Sequence, residues 1–64
     1  KIVSINSASV SVLTSLPGIG QKTANAIIEY RNKHGGIKSL VELLNIKGIG
    51  KTKLSKIKSL ISLD

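Results

Sequence analysis

The sequence contains no cysteine, and its 64 residues include a single aromatic side chain, Tyr30. The missing cysteines exclude a disulfide framework and a thiolate metal site. One aromatic ring is too few for a platform on which successive bases of a single strand stack. No run of 18 apolar residues is present, so no segment is expected to span a membrane. The core must therefore be aliphatic, and a domain of this size buries only about 60% of its unfolded surface.

Acidic residues are also scarce, since ten lysine and arginine residues face three acids and give a formal net charge of +7. A field of this sign raises the local concentration of polyanions and speeds their encounter with the protein. The excess is uneven, at +2 for residues 1–32 and +5 for residues 33–64. The composition favours a polyanionic partner, and a basic protein that is merely soluble is the alternative.

An internal repeat organises the chain, because a shift of 30 residues aligns residues 13–27 with residues 43–57. The identical pairs are Ser9/Ser39, Leu13/Leu43, Gly18/Gly48, Ile19/Ile49, Gly20/Gly50 and Ile27/Ile57. Each copy is too short to bury an apolar face alone, so the two copies are expected to pack together. We predict one domain over residues 1–64, with motif one at about 8–33 and motif two at about 39–61.

The first copy is predicted to fold as helix, tight turn, helix. Asn6 or Ser7 is expected to cap a helix over residues 8–15, which Pro17 then ends. A second helix is predicted over residues 21–33, with Ala24, Ile27 and Ile28 as its apolar stripe and Gly35-Gly36 as its C-cap.

The second copy repeats this pattern and makes the predicted fold class all-α. Ser39 is expected to cap a short helix over residues 40–44, and a longer helix with Ile57 and Ile61 on its apolar face is predicted over residues 51–61. One signal competes, because SASVSVLT (7–14) alternates polar and apolar residues as a strand does. The aligned segment in the second copy does not alternate, so helix is preferred for both.

Two GIG turns, Gly18-Ile19-Gly20 and Gly48-Ile49-Gly50, lead to the functional prediction. Each is expected to open a helix, whose first amide groups lack an intrahelical partner and carry partial positive charge. Glycine permits positive φ and leaves no Cβ in the way of a phosphate, while the isoleucine can point inward. Lysines and hydroxyl donors follow both turns, namely Lys22, Thr23, Lys51, Thr52 and Lys53. We predict anion binding at both turns, with a purely structural turn as the alternative.

The segments LPGIGQKTANAI (16–27) and IKGIGKTKLSKI (46–57) resemble the helix-hairpin-helix motif. Over residues 2–61 the chain is similar to the DNA-binding domain of the bacterial competence DNA receptors, the ComEA family, with INSAS (5–9) and AIIEYR (26–31) as further matching segments. The resemblance implies two pseudo-symmetric motifs that straddle the minor groove and bind double-stranded DNA non-specifically, for uptake in natural transformation. Ile37 stands where the family usually has an aromatic residue, which we interpret as a core substitution.

Transferred by position, the resemblance and the turn chemistry give one set of DNA-binding residues. They are Gly18, Ile19, Gly20, Lys22, Thr23, Gly48, Ile49, Gly50, Lys51 and Lys53. The implied location is the cell surface or the periplasm, with any anchor or export signal outside these residues. The domain itself is expected to be monomeric and to make no membrane contact.

No catalytic, metal or cofactor site is predicted. His34 lacks companions for a metal site, and Glu29 and Glu42 lie too far apart in the repeat to form a catalytic pair. No nucleophile with a base can be assembled, so an enzyme and a small-molecule substrate are not expected. Two alternatives stay open, a DNA-targeting domain of a repair or replication protein and a protein-interaction module that has lost DNA binding.

Overall fold

The computed structural model describes residues 2–64, which form four helical segments and one small sheet. In chain order the elements are β1 (Val3–Ser4), α1 (Val10–Leu13), α2 (Gln21–His34), a 3-10 helix (Leu40–Asn45), α3 (Lys51–Ile57) and β2 (Ile61–Ser62). Each copy of the repeat therefore contains a short helical segment, a turn and a longer helix. The strand suggested by the alternation in residues 7–14 is not formed there.

Helix α1 is shorter than predicted, since it covers a single turn and not residues 8–15. Its N-cap is Ser9, whose hydroxyl accepts a hydrogen bond from the Val12 amide at 3.3 Å, and not Asn6 or Ser7. The Asn6 side chain instead hydrogen-bonds the backbone of Ile37 and the Leu63 carbonyl, so it connects distant parts of the chain. The aligned serine of the second copy is also a cap, so the repeat marks this position correctly.

Helix α2 has the predicted position within one residue at its C-terminus. Its C-cap is Gly35 in the left-handed conformation, with φ of 70°, and the amides of Gly35 and Gly36 both donate to the Arg31 carbonyl. This arrangement satisfies a carbonyl that the helix end would otherwise leave without a partner. The predicted glycine C-cap is confirmed.

The second copy begins with a 3-10 helix that carries a complete capping box. The Ser39 hydroxyl caps the Glu42 amide, while the Glu42 carboxylate accepts from the backbone of Ser39. Helix α3 ends at Ile57, four residues before its predicted end. Ile61 is buried as its apolar spacing suggested, but it lies in strand β2 and not in a helix.

Strands β1 and β2 pair in parallel and join the two ends of the domain. Val3 lies opposite Ile61, and the amides of Val3 and Ile5 donate to the carbonyls of Leu60 and Ser62 at 2.8 and 2.9 Å. The all-α prediction is therefore corrected to a mainly helical domain with a two-stranded sheet. No local pattern marks this sheet, because each strand has two residues and its partner lies at the other end of the chain.

The core is aliphatic and draws equally on both copies. Four aligned pairs are buried in both, namely Leu13/Leu43, Leu16/Ile46, Ile19/Ile49 and Ile27/Ile57. Ile37 is also buried, at 1% exposure, which agrees with its interpretation as a core substitution. Arg31 ties helix α2 to the first segment by donating to the carbonyls of Ile5 and Ala8 at 3.0 and 2.7 Å.

Candidate nucleic-acid interface

The two GIG turns have the same internal construction. The amide of Ile19 donates to the Leu16 carbonyl at 3.1 Å, and the amide of Ile49 donates to the Ile46 carbonyl at the same distance. Both central isoleucine side chains are buried in the core. Each turn is therefore fixed to the core by a buried isoleucine side chain and closed by one short-range hydrogen bond.

The first glycine of each turn is required by the backbone conformation at that position. Gly18 has φ of 78° and Gly48 has φ of 97°, a region that other residues enter only with strain. Both glycines are thus explained by the folded chain alone. They give no information about a ligand.

The second glycine of each turn is not required by its backbone conformation. Gly20 and Gly50 are extended, with φ of −91° and −104°, so neither uses the positive φ that glycine permits. An ideal Cβ at either position meets no protein atom within 4 Å. Serine, asparagine or aspartate would cap these helices better than glycine does, because both positions are helix N-caps. Nothing in the described chain requires glycine at either site.

Amide groups that have no acceptor among residues 2–64 lie beside these second glycines. The first hydrogen bond of helix α2 runs from the Ala24 amide to the Gly20 carbonyl at 2.9 Å, and that of α3 from the Leu54 amide to the Gly50 carbonyl at 3.0 Å. The amides at the start of each helix therefore have no intrahelical acceptor. Each turn offers a group of donors beside an open position above a glycine.

Thr23 and Lys53 occupy aligned positions, and each contacts the GIG turn of the other copy. The Cβ position on Gly48 lies 2.7 Å from Thr23 Oγ1, and that on Gly18 lies 3.3 Å from Lys53 Cε. Thr23 is mostly buried, and its hydroxyl lies beside Gly48 of the second turn. These crossed contacts were not predicted from the sequence, although the repeat aligns the two positions.

The remaining basic side chains near the turns are exposed. Lys22 follows the first turn, whereas Lys47 precedes the second turn and Lys51 follows it. Lys53 is only partly exposed, and its Nζ donates to the Gly48 carbonyl at 3.1 Å. The positive charge is consequently denser at the second turn than at the first.

A shifted pKa is found away from the turns, at Glu42. The Lys38 amide, which donates to Oε2 at 3.0 Å, lowers the pKa of Glu42, and the Tyr30 hydroxyl, which donates to Oε1 at 3.1 Å, acts in the same direction. Partial desolvation opposes them. Glu42 thus belongs to a structural network at the start of the 3-10 helix.

Metal-binding clusters and membrane-spanning helices are both absent from the part of the chain that the structure describes. Among residues 2–64, no three histidine or acidic side chains gather as metal ligands would. Within that range, too, none of the helices has the length and apolar character needed to cross a bilayer.

A family model described as "Helix-hairpin-helix motif" matches residues 1–62 of this chain. The chain belongs to the helix-hairpin-helix family. The match covers both GIG turns and the helices that flank them, which agrees with the resemblance found in the sequence.

Three longer proteins contain a segment that is similar to this helix-hairpin-helix chain. An uncharacterized protein of Haemophilus influenzae is 47% identical over 84% of this chain and 49% of its own length. ComE operon protein 1 of Bacillus subtilis is 36% identical over 95% of this chain and 30% of its own length. The human endonuclease/exonuclease/phosphatase family domain-containing protein 1 is 39% identical over 88% of this chain. That match spans 10% of the human protein, and the chain spans less than half of each of these relatives.

Proposed function

We propose that this chain is a non-catalytic module that binds double-stranded DNA without sequence preference. In this proposal the two motifs form a pseudo-symmetric pair that straddles the minor groove, and each GIG turn holds phosphates of one strand. The residues proposed for the interface are Gly18, Ile19, Gly20, Lys22, Thr23, Gly48, Ile49, Gly50, Lys51 and Lys53.

The observation that carries the proposal is the pair of second glycines. Gly20 and Gly50 are N-caps with ordinary backbone angles and open space where a Cβ would stand. A close-approaching external group explains both glycines, because a side chain would displace it from the amide donors. Phosphate fits this requirement, since successive backbone N–H groups at a helix start bind anions well.

The other residues of the two turns contribute in different ways. The amides of Ile19 and Ile49 are already used within their turns, so these residues act by fixing the turn and not by donating. Thr23 contributes its backbone amide at the start of α2, and its hydroxyl lies beside Gly48 of the second turn. Lys22 and Lys51 supply charge that reaches phosphates at longer range.

Contacts to phosphates carry no sequence information, which is why the proposed binding is non-specific. The likeness to ComE operon protein 1 over 95% of this chain supports a role in DNA uptake during transformation. The likeness to the endonuclease/exonuclease/phosphatase family proteins favours the alternative, in which the same module brings a larger protein to DNA. In either setting the module itself performs no reaction.

The proposal is tested by measuring affinity for two unrelated duplexes of equal length at several salt concentrations. If about four to six phosphates are contacted, log K falls against log salt with a slope of roughly −3.5 to −5.5. The two duplexes are expected to agree within a few-fold. A flat salt response, or a strong preference for one sequence, contradicts the proposal, and no binding at low salt favours a protein-interaction module.

A further inference from the structure

Lys53 connects the two GIG turns physically. Its aliphatic stem lies over Gly18 of the first turn, where a Cβ atom would stand 3.3 to 3.6 Å from Cε, Cγ and Cδ. Its ammonium group donates to the Gly48 carbonyl of the second turn at 3.1 Å. One side chain therefore contacts the first glycine of both turns.

Thr23 makes the reciprocal contact from the other side. It is the third residue of α2, as Lys53 is of α3, and its hydroxyl and methyl groups lie 2.7 and 3.5 Å from the Cβ position on Gly48. The two contacts differ in character, because Thr23 is buried whereas Lys53 is long and partly exposed. Together they form a crossed pair between the turns, defined by Thr23–Gly48 and Lys53–Gly18.

We infer that Lys53 is a positioning residue that sets the spacing between the two GIG turns, in addition to any charge that it contributes. This inference rests on the proposed function, because the spacing matters only if both turns hold phosphates of one duplex. Two linked sites bind much more tightly than either alone only when their separation matches that of their targets. The stem of Lys53 maintains this match by its packing over Gly18, and the hydrogen bond to Gly48 is a second, separate contact.

Two substitutions of Lys53 separate its stem from its charge. Lys53→Met and Lys53→Ala lose the same charge and the same hydrogen bond, but methionine keeps most of the stem over Gly18. Methionine and alanine are both good helix formers, so α3 is expected to form in both variants. The matched control pair is Lys51→Met and Lys51→Ala, at an exposed position on the same helix.

The measurement is affinity for a duplex at low salt, at a temperature where circular dichroism shows every variant folded. Lys53→Ala is expected to bind about fivefold or more weakly than Lys53→Met, because loose spacing lowers the effective concentration of the second contact. The Lys51 pair is expected to agree within about twofold, because there only the charge is removed. A second measurement follows the amide resonance of Gly18, which is expected to shift more in Lys53→Ala than in Lys53→Met.

Equal affinities of the two Lys53 variants, with the wild-type chain binding duplex normally, overturn this inference and leave the proposed function intact. A difference of the same size in the Lys51 pair also overturns it, because side-chain length would then matter at a position without a cross-turn contact. Failure of the wild-type chain to bind any duplex overturns the proposed function and this inference together.

Discussion

Pro17 precedes the first GIG turn and Lys47 precedes the second, yet the two turns share one backbone arrangement. Both have a closing hydrogen bond of 3.1 Å, a positive φ at the first glycine and a buried central isoleucine. The side chains around them differ in charge and in length. The repeat therefore preserves the backbone geometry of the turns, whereas the charge around each turn and the side chains packed against it differ.

The largest expected difference between the two turns is in stability, and it comes from the side chain that packs against the first glycine of each turn. Gly48→Ala places a Cβ 2.7 Å from Oγ1 of the buried Thr23 and also enters a strained φ. We expect a loss of about 3 kcal/mol or more in the free energy of unfolding. Gly18→Ala meets only the flexible Lys53 stem at 3.3 Å, so the loss is expected to be about 1 to 2 kcal/mol.

Urea denaturation of both glycine variants measures this difference. The double variant Gly48→Ala/Thr23→Ala is the control, because removing the hydroxyl and methyl groups relieves the clash and leaves the strain. The double variant is expected to lose less free energy of unfolding than the sum of the losses in the two single variants. Equal destabilisation by Gly18→Ala and Gly48→Ala would mean that the two turns are packed alike after all.

The second glycines are expected to respond in the opposite way, with weakened binding and a retained fold. Gly20→Thr and Gly50→Thr add a branched side chain at positions where threonine and glycine cap a helix about equally well. The melting temperature is therefore expected to change little. Duplex affinity is expected to fall by about tenfold or more in each variant, because donors to a charged phosphate are blocked.

Fluorescence anisotropy with a labelled duplex, paired with a thermal melt, measures both quantities for these variants. Unchanged affinity in a folded Gly20→Thr or Gly50→Thr chain would rule out the phosphate cradle at that turn. Unequal losses would rank the contributions of the two turns.

A smaller contrast is expected from the lysines that flank the turns. Replacing Lys51 and Lys53 by methionine removes two charges beside the second turn and retains the Lys53 stem. This pair is expected to weaken duplex binding more than Lys22→Met does, and to reduce the salt slope by up to roughly 0.9 for each phosphate that is no longer neutralised. Lys33→Met is the matched control, since it removes one charge near the other end of the helix that carries Lys22.

The lysine variants are compared at three salt concentrations, with thermal melts to confirm that they fold. Lys22, Lys33 and Lys51 are exposed, and methionine keeps most of the Lys53 stem, so the melting temperatures are expected to stay close together. Should Lys22→Met prove the more damaging, or should Lys33→Met equal it, the charge would act from a different part of the surface.

The smallest expected effect is on the pH dependence of stability, and it comes from a difference between the two short helical segments. Only the second has a complete capping box, because Glu42 aligns with Val12 in the first. The pKa of Glu42 is lowered below its ordinary value of 4.5 in the folded chain. Its contribution to stability is therefore present above that value and is lost as pH falls through the folded pKa.

Thermal melts from neutral to acidic pH test this contribution. Glutamine can accept the same capping hydrogen bonds without titrating, so Glu42→Gln is expected to show a smaller drop in melting temperature below pH 4.5 than the wild-type chain. Parallel curves for the two chains would show that the capping box does not contribute to the acid sensitivity.

Most helical segments and both turns could be predicted from the sequence, because they depend on local signals. Glycine marks the end of α2, Ser39 marks the start of the 3-10 helix, and the spacing of apolar residues marks the buried faces. In the first copy Asn6 or Ser7 was predicted as the cap, whereas the N-cap is Ser9, which aligns with the predicted cap Ser39. The repeat was thus a better guide than the local sequence around Asn6.

What could not be predicted depends on contacts between distant residues. The pairing of Val3 with Ile61 has no sequence signature, and an apolar residue at helical spacing fits a buried strand equally well. The crossed contacts of Thr23 and Lys53 require the packing of one copy against the other. The glycine pattern located both turns, but it did not indicate that only the first glycine of each turn has a positive φ.

The parallel pairing of β1 with β2 has a mechanical consequence. A force applied across residues 2 and 64 pulls the two strands along their length in opposite directions, since parallel strands leave the sheet at opposite ends. The hydrogen bonds from Val3 to Leu60 and from Ile5 to Ser62 are then loaded together in shear and do not open one after another. A module held at both ends in a longer chain would therefore resist tension at this short sheet before any helix is loaded.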